Sequence, residues 1–250
     1  MISWSISPIQ GTSWYLFADE YTGFSASEDV LPDISLILQE VNRVFVETLG
    51  SEVIKSHPVL SVLYSSDCYP VTNRKHLLIF LSSRGRFYHN HAYQYAHELC
   101  HFMVLNDTCP EYQWLNEVLC HTMSWYALYH INRTQKPNPG KLLNFFYEGL
   151  TEHLENSMNN RLNLRGTSIP TIIRQNWEYL HRNPTNRPLN DAIAYEIYPL
   201  FCEHPELWKI PYLDQLKSDM DLNNALRTLI KSAGLSPHIG DLFNQRLLGK

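Results

Sequence analysis

The alternation of hydrophobic and polar positions predicts strands and one helix in the first part of the chain. Residues 11–18 predict a strand, and the short apolar runs at 59–64 and 76–81 predict two more, separated by turn-forming residues. Apolar residues recur at helical spacing from Leu31 to Leu49, and Gly50 is placed to end that helix. A helix beside a small sheet predicts an α+β layer.

From residue 90 onward the pattern is helical and no further strand is predicted. Apolar spacing interrupted by prolines predicts helices over 91–105, 113–131, 140–158, 169–182, 189–203, 211–217 and 221–233. Two prolines fall within residues 132–140, which makes this stretch the predicted hinge. We therefore expect an N-terminal subdomain with a mixed sheet, residues 1–131, and a helical C-terminal subdomain, residues 140–250.

Composition and charge narrow the classes of function. The chain has 250 residues, 44% of them hydrophobic, and a formal net charge of −5, so it can bury a substantial core. Lys and Arg are scattered, which gives no basic patch for nucleic acid or an anionic membrane. No signal-like leader or long apolar run is present, so we expect a cytoplasmic protein. Five irregularly spaced cysteines predict reduced thiols rather than a disulfide framework.

The segment with the clearest chemical content is His97-Glu98-Leu99-Cys100-His101, an HExxH pattern within a predicted helix. Residues i and i+4 lie on one helix face, so both imidazoles can be directed at one metal ion. Glu98 is then beside that ion, where a carboxylate can take a proton from water. The pattern predicts metal-assisted hydrolysis.

A catalytic zinc ion usually has three protein ligands and one open position, so a third ligand is expected nearby. Glu117 is the first candidate, because the short loop before its helix allows two helices to pack side by side. Asp107, at the last position of an HExxHxxGxxH pattern, and His121, one turn after Glu117, are the alternatives. Glu111, close to the loop, is expected to be solvated.

The pairing of HExxH with Trp114-Leu115-Asn116-Glu117 downstream resembles the gluzincin zinc metallopeptidases, and among them the peptidase MA-like proteins. The resemblance implies a zincin-like α+β fold, Zn²⁺ as cofactor and a peptide or protein as substrate. It implies that His97, His101 and Glu117 ligate zinc and that Glu98 is the general base.

The resemblance also implies roles outside the two motif helices. Residues 191–203 resemble the gluzincin helix that supplies an oxyanion-stabilising side chain, which implies Tyr195 in that role. The alternatives are His181, Tyr198 and Tyr179. Residues 76–83 correspond to the zincin edge strand that pairs with an extended peptide. His121 stands where thermolysin-like members have a carboxylate, and it can still form a hydrogen bond near the metal.

A second class of function uses the same residues. In it, zinc stabilises a catalytically inactive protein-interaction module. The presence of Glu98 favours the peptidase, because a purely structural zinc site needs no general base.

Overall fold

The computed structural model describes residues 4–19, 30–51, 61–64, 69–83, 86–103, 108–134, 141–159, 166–209 and 215–249. The strands in these ranges are β1 (Trp4–Ile9), β2 (Trp14–Asp19), β3 (Ser61–Tyr64), β4 (Val71–Asn73) and β5 (Leu78–Leu81). The α-helices are α1 (Val30–Leu49), α2 (Tyr88–Met103), α3 (Gln113–Arg133), α4 (Lys141–Asn159), α5 (Ile169–Gln175), α6 (Trp177–Arg182), α7 (Arg187–Glu203), α8 (Leu222–Ser232) and α9 (Pro237–Leu248). The predicted α+β class is confirmed.

The chain divides into two compact units, and each unit is built from two separate stretches of sequence. The first unit comprises Met1–Phe102 and Ala127–Glu155, and the second comprises Met103–Tyr126 and Asn156–Lys250. The units are therefore interleaved along the chain, whereas the predicted subdomains are consecutive. Most of the predicted hinge, residues 135–140, lies outside the described residues.

The strands form one mixed sheet in the first unit, in the order β1-β2-β3-β5-β4. The β2–β3 and β3–β5 pairs are parallel, while β1–β2 and β4–β5 are antiparallel. The edge-strand prediction for residues 76–83 is wrong, because β5 lies between β3 and β4. The edge on that side is β4, a strand of three residues that is too short to leave an apolar pattern in the sequence.

The turn between β1 and β2 explains why the strand predicted at residues 11–18 begins later than predicted. Gly11 adopts a positive φ of 77° in the turn, and the Thr12 hydroxyl donates to the Ile9 carbonyl at 2.7 Å. The Trp14 amide then donates to the Thr12 hydroxyl oxygen at 3.0 Å. Residues 11–13 of the predicted strand are therefore turn, and β2 begins at Trp14.

Helix α1 packs on β1 and β2 through the apolar stripe seen in the sequence. Ile34, Val41 and Phe45 are inaccessible to solvent on this face. Gly50 has a φ of 91°, and its amide donates to the Val46 carbonyl at 2.9 Å. The predicted helix end is confirmed, because this left-handed conformation suits glycine at a helix C-terminus.

The second unit contains the helices α5 to α9, and α9 packs against α5, α7 and α8. Helix α9 was not among the predicted helices. The predicted helix 169–182 is two helices, α5 and α6, which are separated at Asn176. Of the predicted helix 211–217, the described part, 215–217, contains no α-helix.

Among the helices that the structure describes, none combines the length and the apolar character needed to cross a membrane. The four cysteines in the described ranges are free thiols, namely Cys100, Cys109, Cys120 and Cys202.

Candidate metal centre

The two histidines of the HExxH segment converge on one point beside helix α2. The Nε2 atoms of His97 and His101 lie 3.2 Å apart, and their rings are inclined at 75° with centroids 4.8 Å apart. Both residues are partly exposed. The helical spacing of four residues produces this arrangement, since it stacks the side chains one turn apart on one face.

Glu98 is buried, with only 4% of its surface exposed, and the edge strand β4 holds its carboxylate. The Thr72 hydroxyl lies 2.9 Å from Oε2 of Glu98 and 2.7 Å from the Glu98 backbone carbonyl oxygen. A hydroxyl has one proton, so it donates to one of these two acceptors at a time. Thr72 therefore ties Glu98 to the sheet through either its backbone carbonyl or its carboxylate.

A second contact from the same part of the chain fixes the end of α2. The guanidinium of Arg74 donates to the backbone carbonyl of His101 through Nε at 3.0 Å and through Nη2 at 2.7 Å. Carbonyls in the last turn of a helix have no partner within the helix, and a positive charge there is favourable. Arg74 and Thr72 together anchor the motif helix at two successive points.

Helix α3 carries Glu117 and His121 one turn apart, and it is unusually enclosed for a helix with polar residues. Residues 118–128 are all buried. The hydroxyls of Thr122 and Ser124 donate to carbonyls of their own helix, those of Val118 at 2.7 Å and Cys120 at 3.0 Å. These bonds let polar side chains lie inside the second unit without unsatisfied donors.

His121 is paired with a carboxylate from a distant part of the sequence. Its Nδ1 lies 3.1 Å from Oδ1 of Asp191 on α7, and both residues are at most 9% exposed. Nε of Arg187, one turn earlier on α7, lies 3.5 Å from the other carboxylate oxygen of Asp191. In carboxylate–histidine–zinc arrangements an imidazole turns Nδ1 towards the carboxylate and uses Nε2 as the metal ligand.

Among the residues that the structure describes, one group of three side chains has ligand atoms close enough together to hold a metal ion. The ligand atoms of His97, Glu117 and His121 all lie within 4.8 Å of one another. This set contains two of the three predicted ligands, His97 and Glu117, and the alternative His121, but it does not include the predicted ligand His101. The other alternative, Asp107, lies outside the described residues.

Tyr195 lies on α7, one turn after Asp191, and is partly buried. Residues four apart share a helix face, so Tyr195 lies on the face of α7 that carries the carboxylate paired with His121. The three alternatives have other surroundings. Tyr198 packs edge-on against Trp125, Tyr179 accepts a hydrogen bond from Asn186, and His181 packs edge-on against Trp177.

Sequence reasoning missed two residues that hold the candidate site, Thr72 and Asp191. The first lies in the short strand β4, which has no recognisable pattern. The second lies inside the segment 191–203 that was singled out for Tyr195, and a carboxylate one turn before a candidate tyrosine was the only available signal.

No family model, curated protein or solved structure matches the chain.

Proposed function

We propose that the chain is a zinc-dependent metallopeptidase of the gluzincin kind, with a zincin-like arrangement of its α+β elements. His97, His101 and Glu117 would hold the ion, and Glu98 would act as general base. The proposal extends to a peptide or protein substrate in the cytoplasm, whose reducing conditions suit the four free thiols in the described ranges.

The observation that carries the proposal is the geometry of the HExxH histidines. Two ligands at about 2.05 Å from a tetrahedral ion lie about 3.3 Å apart. The 3.2 Å between the Nε2 atoms of His97 and His101 is close to that value. The donor set of two imidazoles and a carboxylate is also one that zinc adopts in hydrolytic enzymes. The close group of His97, Glu117 and His121 has this composition as well, so the donor types present suit a zinc ion.

Zinc bound there would supply Lewis acidity towards the peptide carbonyl and the attacking water. Glu98 accepts a proton from that water as its oxygen adds to the carbonyl carbon. The same carboxylic acid then donates the proton to the amine nitrogen as the C–N bond breaks. Thr72 keeps the carboxylate in place through its hydrogen bond to Oε2, so that little reorientation is needed between the two transfers.

Negative charge on the carbonyl oxygen needs a donor besides the metal. Tyr195 is the proposed donor. The face of α7 that carries it also carries Asp191, whose Oδ1 lies 3.1 Å from Nδ1 of His121 on α3, so this face would contribute a phenol and position an imidazole. Among the described strands, β4 is the last one on that side of the sheet, so its outer edge is the proposed partner of an extended peptide, in the place first assigned to residues 76–83.

The test begins with the zinc content of the purified chain by elemental mass spectrometry and its hydrolysis of a fluorogenic peptide library. We expect one zinc per chain and measurable hydrolysis. Glu98→Gln should keep the zinc and lower kcat by about 10²–10⁴-fold, the usual contribution of a general base. Glu178→Gln, an exposed carboxylate on α6, is the matched control and should change neither quantity. Full turnover by Glu98→Gln would refute the mechanism.

One observation favours the second candidate, a zinc-stabilised interaction module. The close group of ligand atoms includes His121, and a site with His97, His101, Glu117 and His121 all bound would have four protein ligands. Such closed sites are structural, whereas catalytic sites keep one position open. X-ray absorption at the zinc edge separates the two, because loss of a nitrogen ligand in His121→Ala would identify the closed site. An unchanged ligand set in that variant supports the peptidase.

A further inference from the structure

The second unit contains a pocket of about 750 Å³, within the range of roughly 300–1,000 Å³ that is typical of small-ligand sites. Its lining comes from α5, from α6, from the residues that lead into α8 and from the end of α9. The apolar wall comprises Pro170, Ile173, Trp177, Leu222 and Leu247. None of the described residues that line it is a candidate metal ligand, so the pocket is separate from the proposed zinc site.

The pocket has one fixed positive charge, on Arg174. This residue is exposed, and among the residues that the structure describes no carboxylate forms an ion pair with it. An arginine without a carboxylate partner presents its planar set of donors to whatever enters the pocket. The geometry of this fork matches a carboxylate, which it can bind through two parallel hydrogen bonds.

The same pocket has negative charge on Glu111 and Asp219. The Cys109 thiol donates to Oε2 of Glu111 at 2.6 Å, and this hydrogen bond holds the pKa of the carboxyl below its usual value. Glu111 is therefore ionised at neutral pH. A third carboxylate, Asp221, is already used, because its two oxygens accept from the amide and the side chain of Asn224 at the start of α8.

A ligand with only one kind of charge would meet repulsion from one side of this lining. A ligand with both kinds can satisfy Arg174 and Glu111 together and place an apolar body against Ile173 and Trp177. Arg174 and Glu111 form no ion pair with each other, so a ligand that binds both carries its two charges on separate groups. A single amino acid would leave much of the roughly 750 Å³ empty, whereas a short peptide fills more of it.

We propose that this pocket binds a short peptide with a free ammonium end, a free carboxylate end and apolar side chains. Arg174 binds the carboxylate, Glu111 and Asp219 bind the ammonium group, and the apolar wall takes the side chains. Peptide binding at this pocket needs no metal, so it can be tested independently of the proposed zinc chemistry.

The experiment is isothermal titration calorimetry of the full chain with the dipeptide Leu-Phe, in buffer containing EDTA. The chelator prevents any zinc-dependent cleavage of the probe, so failure of the proposed peptidase does not affect the result. The comparison ligand is the same dipeptide with an acetylated amine and an amidated carboxylate. We expect Leu-Phe to bind at least tenfold more tightly than the capped form.

The variants Arg174→Gln and Glu111→Gln should each weaken Leu-Phe binding by about tenfold, with thermal unfolding unchanged. Arg182→Gln, on the neighbouring helix α6 and outside the pocket lining, is the control and should bind like the native chain. Three results would overturn the proposal: no heat of binding with millimolar Leu-Phe, equal binding of the capped form, or an equal loss in Arg182→Gln.

Discussion

Helices α2 and α3 both carry candidate ligands, but the ligands of α2 are much easier to recognise in the sequence than those of α3. In α2, two histidines and the general base lie within five successive residues, and the helical period alone brings the two imidazoles together. In α3, the same period places Glu117 and His121 one turn apart. The pattern ExxxH, however, does not by itself predict a metal site. The second helix becomes informative only when Asp191 is found against His121.

The difference teaches which part of a site local sequence can carry. Spacing within one element fixes which side chains share a face. It says nothing about the partner that orients them, because that partner comes from another element. Both helices depend on such partners: Thr72 for α2 and Asp191 for α3. Substitutions can therefore test the motif and its support separately on each helix.

The largest expected effect is on α2 itself. His101→Ala should weaken zinc binding by more than about 100-fold, since even outer hydrogen-bond partners of ligands contribute 10–100-fold. Hydrolysis should fall to background. Zinc competition with a chromophoric chelator measures the affinity. His76→Ala, an exposed histidine outside the motif, is the control, and an unchanged affinity in His101→Ala would remove this residue from the ligand set.

The next effect tests the support of α3. Asp191→Asn keeps the shape of the side chain but removes the charge that orients His121. We expect kcat to fall by about 10–100-fold with zinc still bound at one per chain. Steady-state kinetics and elemental analysis of the same sample give both values. A normal kcat would show that the pair has only a structural role.

A smaller effect tests the support of α2. Thr72→Val removes the hydroxyl that holds Glu98, and about tenfold should be lost from kcat, which corresponds to one hydrogen bond of about 1.4 kcal/mol. KM should stay unchanged, because Thr72 holds the base rather than the substrate in this proposal. Thr72→Ser should restore kcat. If both variants lose activity equally, the hydroxyl is not the relevant group.

The smallest effects concern stability and leave the chemistry aside. The Tyr95 hydroxyl of α2 donates to Oδ1 of Asn42 at 2.9 Å inside the first unit, so Tyr95→Phe leaves a buried acceptor unsatisfied. We expect a loss of about 1–2 kcal/mol in the free energy of unfolding. Thr122→Val in α3 removes a hydroxyl that bonds only to its own helix, and should change it by less than about 0.5 kcal/mol.

Urea denaturation measures both changes. If Tyr95→Phe and Thr122→Val destabilise the chain equally, a hydrogen bond to another helix contributes no more than a bond within one helix. That result would contradict the expected difference.

Much of the fold could be predicted because it follows from periodicity. The apolar stripe of α1 and the glycine that ends it, Gly50, are clear in the sequence. The start of α9 is also marked in the sequence, although α9 was not predicted. Ser236 caps α9 by accepting from the Ile239 amide, and Pro237 occupies its first turn. These are ordinary helix-start signals. The three-residue strand β4 and the order of the sheet depend on pairing between distant residues, which no local pattern records.

The candidate site divides in the same way. HExxH and Glu117 could be found from spacing and resemblance. The hydrogen bond of Thr72 to Glu98 and the contact of Asp191 with His121 could not, because they join residues 26 and 70 positions apart in the sequence.

The interleaving of the two units has a consequence for how the protein is made. The first unit includes Ala127–Glu155, so it cannot be completed until those residues have left the ribosome. By then Met103–Tyr126, which belongs to the second unit, has already emerged and must wait for Asn156–Lys250. Neither unit is a continuous segment that can fold as a domain during synthesis, so nascent chains that stop near residue 130 would expose the apolar surface of α3.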